Sequence, residues 1–173
     1  MNEFKGKRVL VTGGTGLIGR QVVDLLVKDG AIVTIASLDD LDSHNILKVD
    51  LTDMDNACLA VKGQDYVFAL AGIKGSPKVT LEKGDVMTYI TLKVGMNVVK
   101  AAYKEGIRNL LFTSSIGAYH EAELLKESKA FKGKAMDAPG EAKRRVERQI
   151  QKYHLGYGRG YKVVRLANCY GPG

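Results

Sequence analysis

Short runs of β-branched and other apolar residues alternate along the chain with longer stretches in which apolar residues recur at helical spacing. Residues 7–12 form the first apolar run, with Arg-Val-Leu-Val at its centre. Residues 17–29 follow, and their apolar side chains fall on one helical stripe: Ile18, Val22, Leu25 and Leu26. Gly30 comes directly after this stripe, where glycine commonly ends a helix. The pattern therefore predicts a buried strand followed by an amphipathic helix.

The same alternation continues to the end of the chain. It predicts strands at residues 7–12, 31–36, 46–49, 65–71, 107–113 and 161–167, and helices at residues 17–29, 53–61, 85–105 and 139–153. The polar, lysine-rich segment 119–137 fits neither period. Apolar strands that are separated by helices are typical of a parallel sheet covered on both faces. We therefore predict an α/β fold with a doubly wound parallel sheet.

Length and composition indicate an ordinary globular domain. The 173 residues fit one domain of about 100–200 residues, and 45% hydrophobic with 26% charged residues argue against disorder. No run of about 18 apolar residues is present, so no membrane span is predicted, and the first residues lack a signal-peptide pattern. The chain stops directly after the sixth predicted strand, where domains rarely end. We therefore expect a C-terminally truncated form of a longer protein.

The ionisable residues narrow the classes of partner. Lysine and arginine total 26 against 19 acidic residues, a net charge of +7. No aromatic residues interleave with the basic ones as in RNA-binding proteins, so we predict an anionic small ligand and no nucleic acid. Cys58, Cys169 and the three histidines lack metal-ligand spacing. We therefore predict reduced cysteines in a cytoplasmic protein and no metal site.

A glycine-rich turn carries the strongest chemical signal. Residues 12–19 read Thr-Gly-Gly-Thr-Gly-Leu-Ile-Gly and lie between a predicted strand and a predicted helix. Glycines permit the tight turn and let the backbone approach a pyrophosphate, which the N-terminus of the helix then attracts. The motif predicts dinucleotide binding. The alternative is a tight turn of purely structural importance.

Two aspartates follow the third predicted strand. Asp50 lies where a carboxylate accepts a hydrogen bond from an adenine amino group, and Asp53 lies where the next helix needs an N-cap. We therefore assign Asp50 to the adenine and Asp53 to the cap. The alternative is that both residues only cap the helix.

Six segments in order resemble those of one family: the glycine turn, Asp50-Leu51, Leu70-Ala71-Gly72, Thr113-Ser114-Ser115, Lys143 with Glu147, and Arg165-x-x-Asn168-x-Tyr170-Gly171-Pro172-Gly173. They are similar to the extended short-chain dehydrogenase/reductase family, the NAD(P)-dependent sugar-nucleotide epimerases, dehydratases and reductases. The resemblance covers essentially all 173 residues. Members are usually much longer, and the portion beyond this region builds most of their sugar-nucleotide pocket.

The resemblance implies a Rossmann fold over residues 1–173 and a set of ligand contacts. The implied cofactor contacts are Gly13, Gly16, Leu17, Ile18, Gly19, Ser37, Asp39, Asp50, Leu51, Leu70, Ala71, Gly72 and Lys143. Ser115 and Asn168 are the implied contacts of a nucleotide-sugar substrate.

The residues after the second predicted strand bear on the choice of dinucleotide. Relatives that use NAD usually carry an acidic residue at the place of Ser37, and Asp39 lies two residues later. Arg20 is the only local cation for the 2′-phosphate of NADP. We therefore expect NAD, with NADP as the alternative.

In this family a Tyr-x-x-x-Lys pair and a Ser or Thr after the fifth strand perform proton transfer. Lys143 and Ser115 match two of these positions by resemblance, and the lysine charge lowers the pKa of such a tyrosine. The tyrosine position is Pro139, which has no ionisable group. Tyr119, four residues after Ser115, is the nearest candidate for a replacement base. The alternative for Tyr119 is a packing role.

Three functions are therefore open. The leading one is the NAD(P)-binding domain of a sugar-nucleotide epimerase, dehydratase or reductase. The alternatives are a non-catalytic dinucleotide-binding or sensor protein and a dimeric scaffold. The resemblance also implies a homodimer built by the two longest helices. We expect exposed apolar stripes on those helices, at Val94, Val98, Ala101, Val146 and Ile150.

Overall fold

The fold is known from a computed structural model that describes residues 3–39, 45–73 and 77–171, without the side chains of residues 77–83. The strands are β1 (Arg8–Thr12), β2 (Ile32–Ser37), β3 (Ile46–Lys48), β4 (Tyr66–Ala69), β5 (Asn109–Ser115) and β6 (Gly160–Leu166). The helices are α1 (Leu17–Lys28), α2 (Met54–Val61), α3 (Pro77–Lys104) and α4 (Ala138–Tyr157). Two short 3₁₀ turns, Ile116–Ala118 and Glu127–Lys129, lie in or beside the segment left unassigned by the sequence pattern.

All six strands form one parallel sheet in the order β3-β2-β1-β4-β5-β6. The strands that follow β1 in the chain, β2 and β3, lie on one side of it, and β4, β5 and β6 lie on the other. The strand order therefore reverses between β1 and β4. Thr12 pairs with both Ala36 and Ala69, which places the carboxyl ends of the three central strands side by side. Open α/β sheets bind ligands in the crevice at such a reversal. The predicted doubly wound sheet is confirmed.

Alternate residues of each central strand enter two separate cores. Leu10 and Val67 point to the face on which α2, α3 and α4 pack. Val9 and Val11 point to the opposite face, where Leu26 of α1 covers them. This alternation follows from the two-residue period of a strand. Helices thus cover both faces of the strands that lead to the reversal point.

The two longest helices differ from their predictions. α3 begins at Pro77, eight residues before the predicted start at residue 85, because proline at a first helical position needs no N–H partner. α4 extends to Tyr157, where Gly158 adopts a φ of +61° and ends it. The predicted fifth strand is shifted by two residues and ends at Ser115. No helix among the described residues is long and apolar enough to cross a membrane.

The expected exposed stripes on α3 and α4 are wrong. The apolar side chains named for them lie in the chain's own core: Val94, Val98, Ala101, Val146 and Ile150. The two helices pack against each other as well as on the sheet. They approach so closely that a Cβ at Gly95 would lie 2.9 Å from a Val146 methyl group. A helical pattern shows that a face is apolar but not which partner covers it.

Candidate functional site

The glycine turn after β1 is shaped by close backbone contacts. Gly13 has a φ of +69°, and a Cβ there would lie 2.9 Å from the Cα of Ala71. A Cβ at Gly19 would lie only 2.1 Å from the carbonyl oxygen of Gly13. The Thr12 hydroxyl accepts a hydrogen bond from the Ala71 amide at 3.1 Å, which joins β1 to the segment after β4. Gly13 and Gly19 are therefore required by the fold itself.

Gly16 differs from these glycines. Its φ of −77° suits any residue, and a Cβ there would lie at an ordinary 3.4 Å from the Gly13 carbonyl oxygen. It is the N-cap of α1 but has no side chain to bind the first amides of the helix. Leu17, which is exposed, and Ile18, which is half-buried, follow it in the first turn of α1. The turn thus presents a bare helix N-terminus, which attracts anions.

Asp50 and Leu51 follow β3, on the side of the sheet reversal occupied by β2. The exposed Asp50 carboxylate accepts a hydrogen bond from the Thr52 amide at 2.8 Å, and this bond lowers the pKa of Asp50. Leu51 is buried, and the Asn97 side chain donates to its carbonyl at 3.1 Å. Asp53 caps α2 by accepting from the amides of residues 55 and 56, as predicted.

A hydroxyl and carboxylate network closes the end of β2. The hydroxyls of Thr15 and Ser37 lie 3.2 Å apart, so the glycine turn contacts β2 through side chains. The Ser37 hydroxyl also forms two hydrogen bonds with Asp39. It donates to the Asp39 carboxylate and accepts from the Asp39 amide, each at 3.1 Å. Arg20 donates to the Thr15 carbonyl at 2.7 Å. The residues implied for the adenosine end of a dinucleotide therefore adjoin the glycine turn.

The Lys143 ammonium and the Ser115 hydroxyl both lie at the carboxyl end of β5. The Lys143 ammonium donates to the Thr113 carbonyl at 2.8 Å, two residues before Ser115. Burial lowers the pKa of Lys143, while the charge of Glu147 acts in the opposite direction. The Ser115 hydroxyl accepts from the Gly117 amide at 3.2 Å. The chain thus places an amine and a hydroxyl beside the last residues of one strand.

Pro139 is the second residue of α4, one helical turn before Lys143. The Asp137 side chain caps this helix by accepting from the Gly140 amide at 2.6 Å. A Cβ at Gly140 would lie 2.1 Å from the Gly117 carbonyl oxygen. This glycine contact brings the first turn of α4 directly against the turn that follows Ser115. Backbone packing therefore holds the first turn of α4, which includes Pro139, against the turn after Ser115, and Pro139 supplies no ionisable group.

Tyr119 lies within a cluster formed by α4 and β6. Its side chain is 6% exposed, and its hydroxyl accepts from Arg165 at 3.4 Å. The Arg165 guanidinium stacks 4.8 Å from the centre of the Tyr119 ring and binds both carboxylate oxygens of Glu147, at 2.9 and 2.5 Å. The Glu147 carboxylate holds the pKa of Arg165 above its ordinary value. These contacts favour a packing role for Tyr119.

The sequence pattern missed the role of Arg144. It stands between two other basic residues of α4, Lys143 and Arg145, yet its side chain is 1% exposed. It donates to the carbonyls of Ala118 and Gly133 at 2.8 and 2.7 Å. Arg144 therefore ties both ends of the 118–133 loop to α4. Nothing in the local sequence distinguishes it from its exposed neighbour Arg145.

The remaining predicted residues lie on the segments that follow β4 and β6. Leu70 and Ala71 are half-buried, and Gly72 is exposed beside the glycine turn. Asn168 and Tyr170 are exposed after β6, while Pro172 and Gly173 lie outside the described residues. Within the described ranges, no group of three His, Cys, Asp or Glu residues is arranged to hold a metal ion.

The chain is similar in sequence to proteins of one known family. A model of the NAD dependent epimerase/dehydratase family matches residues 9–173. GDP-mannose 3,5-epimerase 1 from Oryza sativa subsp. japonica is 29% identical over 95% of this chain and 47% of the rice protein. The chain therefore spans about half the length of the curated relatives that it matches first.

Solved structures show the same fold over nearly the whole chain. UDP-N-acetylglucosamine 4-epimerase from Methanobrevibacter ruminantium M1, in complex with UDP-N-acetylmuramic acid, is 30% identical with a TM-score of 0.81, over 97% of this chain and 57% of that one. UDP-glucose 4-epimerase from Thermus thermophilus, in complex with NAD, is 26% identical with a TM-score of 0.78, over 95% of this chain and 56% of that one.

Proposed function

Because the chain belongs to the NAD-dependent epimerase/dehydratase family, we propose that it binds NAD and serves an enzyme that acts on nucleotide sugars. The observation that carries this proposal is the exposed, uncapped N-terminus of α1 at Gly16. A phosphate there would meet backbone amides and the positive end of the helix dipole. The fold does not itself require a glycine at this position, which supports a role in ligand binding.

We assign the remaining contacts of the dinucleotide to residues at the carboxyl ends of the central strands. The amides of Leu17 and Ile18 would face the pyrophosphate, and the Asp50 carboxylate would accept from the adenine amino group. The backbone of Ala71 and Gly72 would pass beside the dinucleotide at the strand reversal. This assignment also uses Gly13, Gly19, Ser37, Asp39, Leu51, Leu70 and Lys143. The bound NAD in the Thermus thermophilus relative supports NAD as the ligand, with NADP as the alternative.

Ser115 and Lys143 would serve the reacting end. When bound, the nicotinamide supplies a hydride acceptor for a sugar hydroxyl. Lys143, held by the Thr113 carbonyl, would orient the nicotinamide ribose with its ammonium group. The Ser115 hydroxyl would hydrogen-bond the reacting sugar oxygen, and Asn168 would contact the nucleotide sugar. The nucleotide-sugar complex of the Methanobrevibacter ruminantium relative supports this substrate class.

A second candidate function is dinucleotide binding without turnover. Pro139 supplies no proton acceptor on the first turn of α4. The buried Tyr119, which we considered as a replacement base, accepts a hydrogen bond from Arg165 instead. Both observations favour a sensor or binding protein over an enzyme that uses the family's proton-transfer pair. A dimeric scaffold remains the third candidate, and it alone requires no cofactor binding.

Titration with NADH tests the proposed function directly. The chain has no tryptophan, so the fluorescence of NADH can be followed against a low protein background. We expect saturable binding, followed by turnover of a UDP- or GDP-sugar if the chain is an enzyme. Saturable binding without turnover of any sugar nucleotide would favour the sensor. No saturable binding of either NADH or NADPH would contradict the proposal.

We further propose that two copies associate through the outer surface of α3. Val86 and Tyr89 lie about one turn apart there, and each is 58% exposed. We expect a dimer in sedimentation velocity and a shift toward monomer in Tyr89→Glu. Leu25→Glu, which adds the same charge at an exposed position of α1, is the control and should leave the dimer intact. Wild-type protein that sediments only as a monomer would disprove the association.

A cytoplasmic location stays a prediction. The two cysteines, Cys58 and Cys169, are free in the structure, which is consistent with reduced thiols.

A further inference from the structure

A groove runs between the first three turns of α4 and the segment 133–137 that leads into this helix. Its volume of about 590 Å³ is typical of sites for small molecules. Four basic side chains line it: Lys134, Arg144, Arg145 and Arg148. Lys143, which contacts the Thr113 carbonyl at the end of β5, does not line it. The groove is therefore separate from the site assigned to the dinucleotide.

The guanidinium on the buried side of this groove is incompletely paired. Arg144 is 1% exposed, and its Nε and Nη1 atoms donate to the carbonyls of Ala118 and Gly133. Its Nη2 atom, which carries two protons, has no hydrogen-bond partner among the described residues. The Glu141 carboxylate lies 3.9 Å from Nη1, beyond hydrogen-bond distance. Because a buried charge is costly unless it is closely paired, an anion near Arg144 would be stabilising.

The acidic side chains of the groove do not balance its basic ones. Glu141 is shared between two arginines, since its carboxylate also lies 3.5 Å from the Nε of Arg145. The Asp137 carboxylate is used to cap α4. Within the part of the chain that the structure describes, Arg148 has no carboxylate at ion-pair distance. Four basic against two acidic side chains leave the groove with a net positive charge.

We propose that this groove binds a phosphate group, either of free phosphate or of a small phosphate ester. The planar guanidinium of an arginine donates two parallel hydrogen bonds to a phosphate, and Arg145 and Arg148 are both exposed to supply them. Arg148 lies 5.6 Å from the centre of the Phe131 ring, a contact that favours one position of its side chain. The buried charge of Arg144 attracts the anion further, because solvent ions screen it less than a surface charge.

Titration calorimetry with inorganic phosphate and with ribose 5-phosphate, at constant ionic strength, tests this inference. We expect saturable binding, and tighter binding of the ester would identify a phosphorylated small molecule, whereas equal affinity would identify free phosphate. Arg148→Gln should weaken binding by at least about tenfold, because hydrogen bonds between charged groups are among the stronger ones. Arg108→Gln, which removes an exposed arginine just before β5, is the matched control and should preserve the affinity.

Several results would overturn the phosphate site. Wild-type protein that binds neither probe, or Arg148→Gln protein with unchanged affinity, would exclude it. Loss of phosphate binding in Gly16→Asp would place the anion at the glycine turn instead, and binding of an acidic peptide but of neither phosphate probe would point to a different partner. Because Arg148 is exposed, thermal unfolding of Arg148→Gln without phosphate should match that of wild type. None of these measurements depends on whether the chain binds NADH.

Discussion

Gly16→Asp is expected to lower the affinity for NADH by at least about a hundredfold while leaving the fold as stable as before or more so. Gly16 is the N-cap of α1, with a φ of −77° and a ψ of 174°, and it offers room for a side chain. Aspartate is a preferred N-cap and stabilises a helix by a few tenths of a kcal/mol relative to glycine at that position. Its carboxylate would bind the same amides that we assign to the pyrophosphate and would repel that group.

The measurement combines a fluorescence titration with thermal unfolding. Gly16→Asn fills the same space without charge and should weaken binding less than Gly16→Asp. Gly156→Asp places the same charge at a helical glycine of α4 that has no neighbour within 4 Å, and it should leave NADH affinity unchanged. Gly19→Ala should instead destabilise the fold, since its Cβ would overlap the Gly13 carbonyl oxygen. Wild-type affinity in Gly16→Asp would show that the dinucleotide does not bind at this turn.

Pro139→Tyr is expected to raise the rate of sugar-nucleotide turnover by about 10²–10⁴-fold, the contribution of a well-placed general base. Residue 139 lies four positions before Lys143 on α4, so the two side chains share one face of the helix. The lysine ammonium would favour the phenolate of a tyrosine placed there. Dinucleotide affinity should not change, because the glycine turn and Lys143 remain intact.

Pro139→Phe is the matched control for this variant. It adds the same ring without the hydroxyl, so it should show the background rate of the unmodified chain. Equal activity of the tyrosine and phenylalanine variants would contradict a role in proton transfer. If the unmodified chain already turns over a sugar nucleotide at an ordinary rate, loss of that rate in Tyr119→Phe would identify Tyr119 as the base. If all variants bind NADH and none turns over, the non-catalytic binding protein is favoured.

The alternation of apolar strands and helical stripes was sufficient to predict the parallel sheet and its four helices. This succeeded because strand and helix periods are local properties of the sequence. The glycine turn after β1 and the Asp53 cap of α2 were predicted for the same reason, since the residues that form each feature lie within a few positions of one another. The boundary of α3 was missed because its first turns lack an apolar stripe.

What covers a side chain was decided only by the tertiary structure. The sequence pattern predicted that Val98 and Val146 belong to exposed apolar stripes. In the structure both side chains are buried, because α3 and α4 pack against each other and against the sheet. Arg144 reads as a surface charge, but carbonyls 26 and 11 residues away in the chain satisfy two of its nitrogen atoms. The pairing of Arg165 with Glu147 likewise joins β6 to α4.

The same distinction applies to the candidate site. The sequence determined which residue types are available: a glycine turn, a lysine, a serine, and a proline in place of a tyrosine. It did not determine that Ser37 binds Asp39 through two atoms or that Tyr119 packs against a guanidinium. Hydrogen bonds and burial depend on distances between segments that are remote in sequence, and a one-dimensional pattern contains no such distances. The sequence therefore determined the elements and the chemical groups, and the packing of those elements decided which groups are left to meet a ligand.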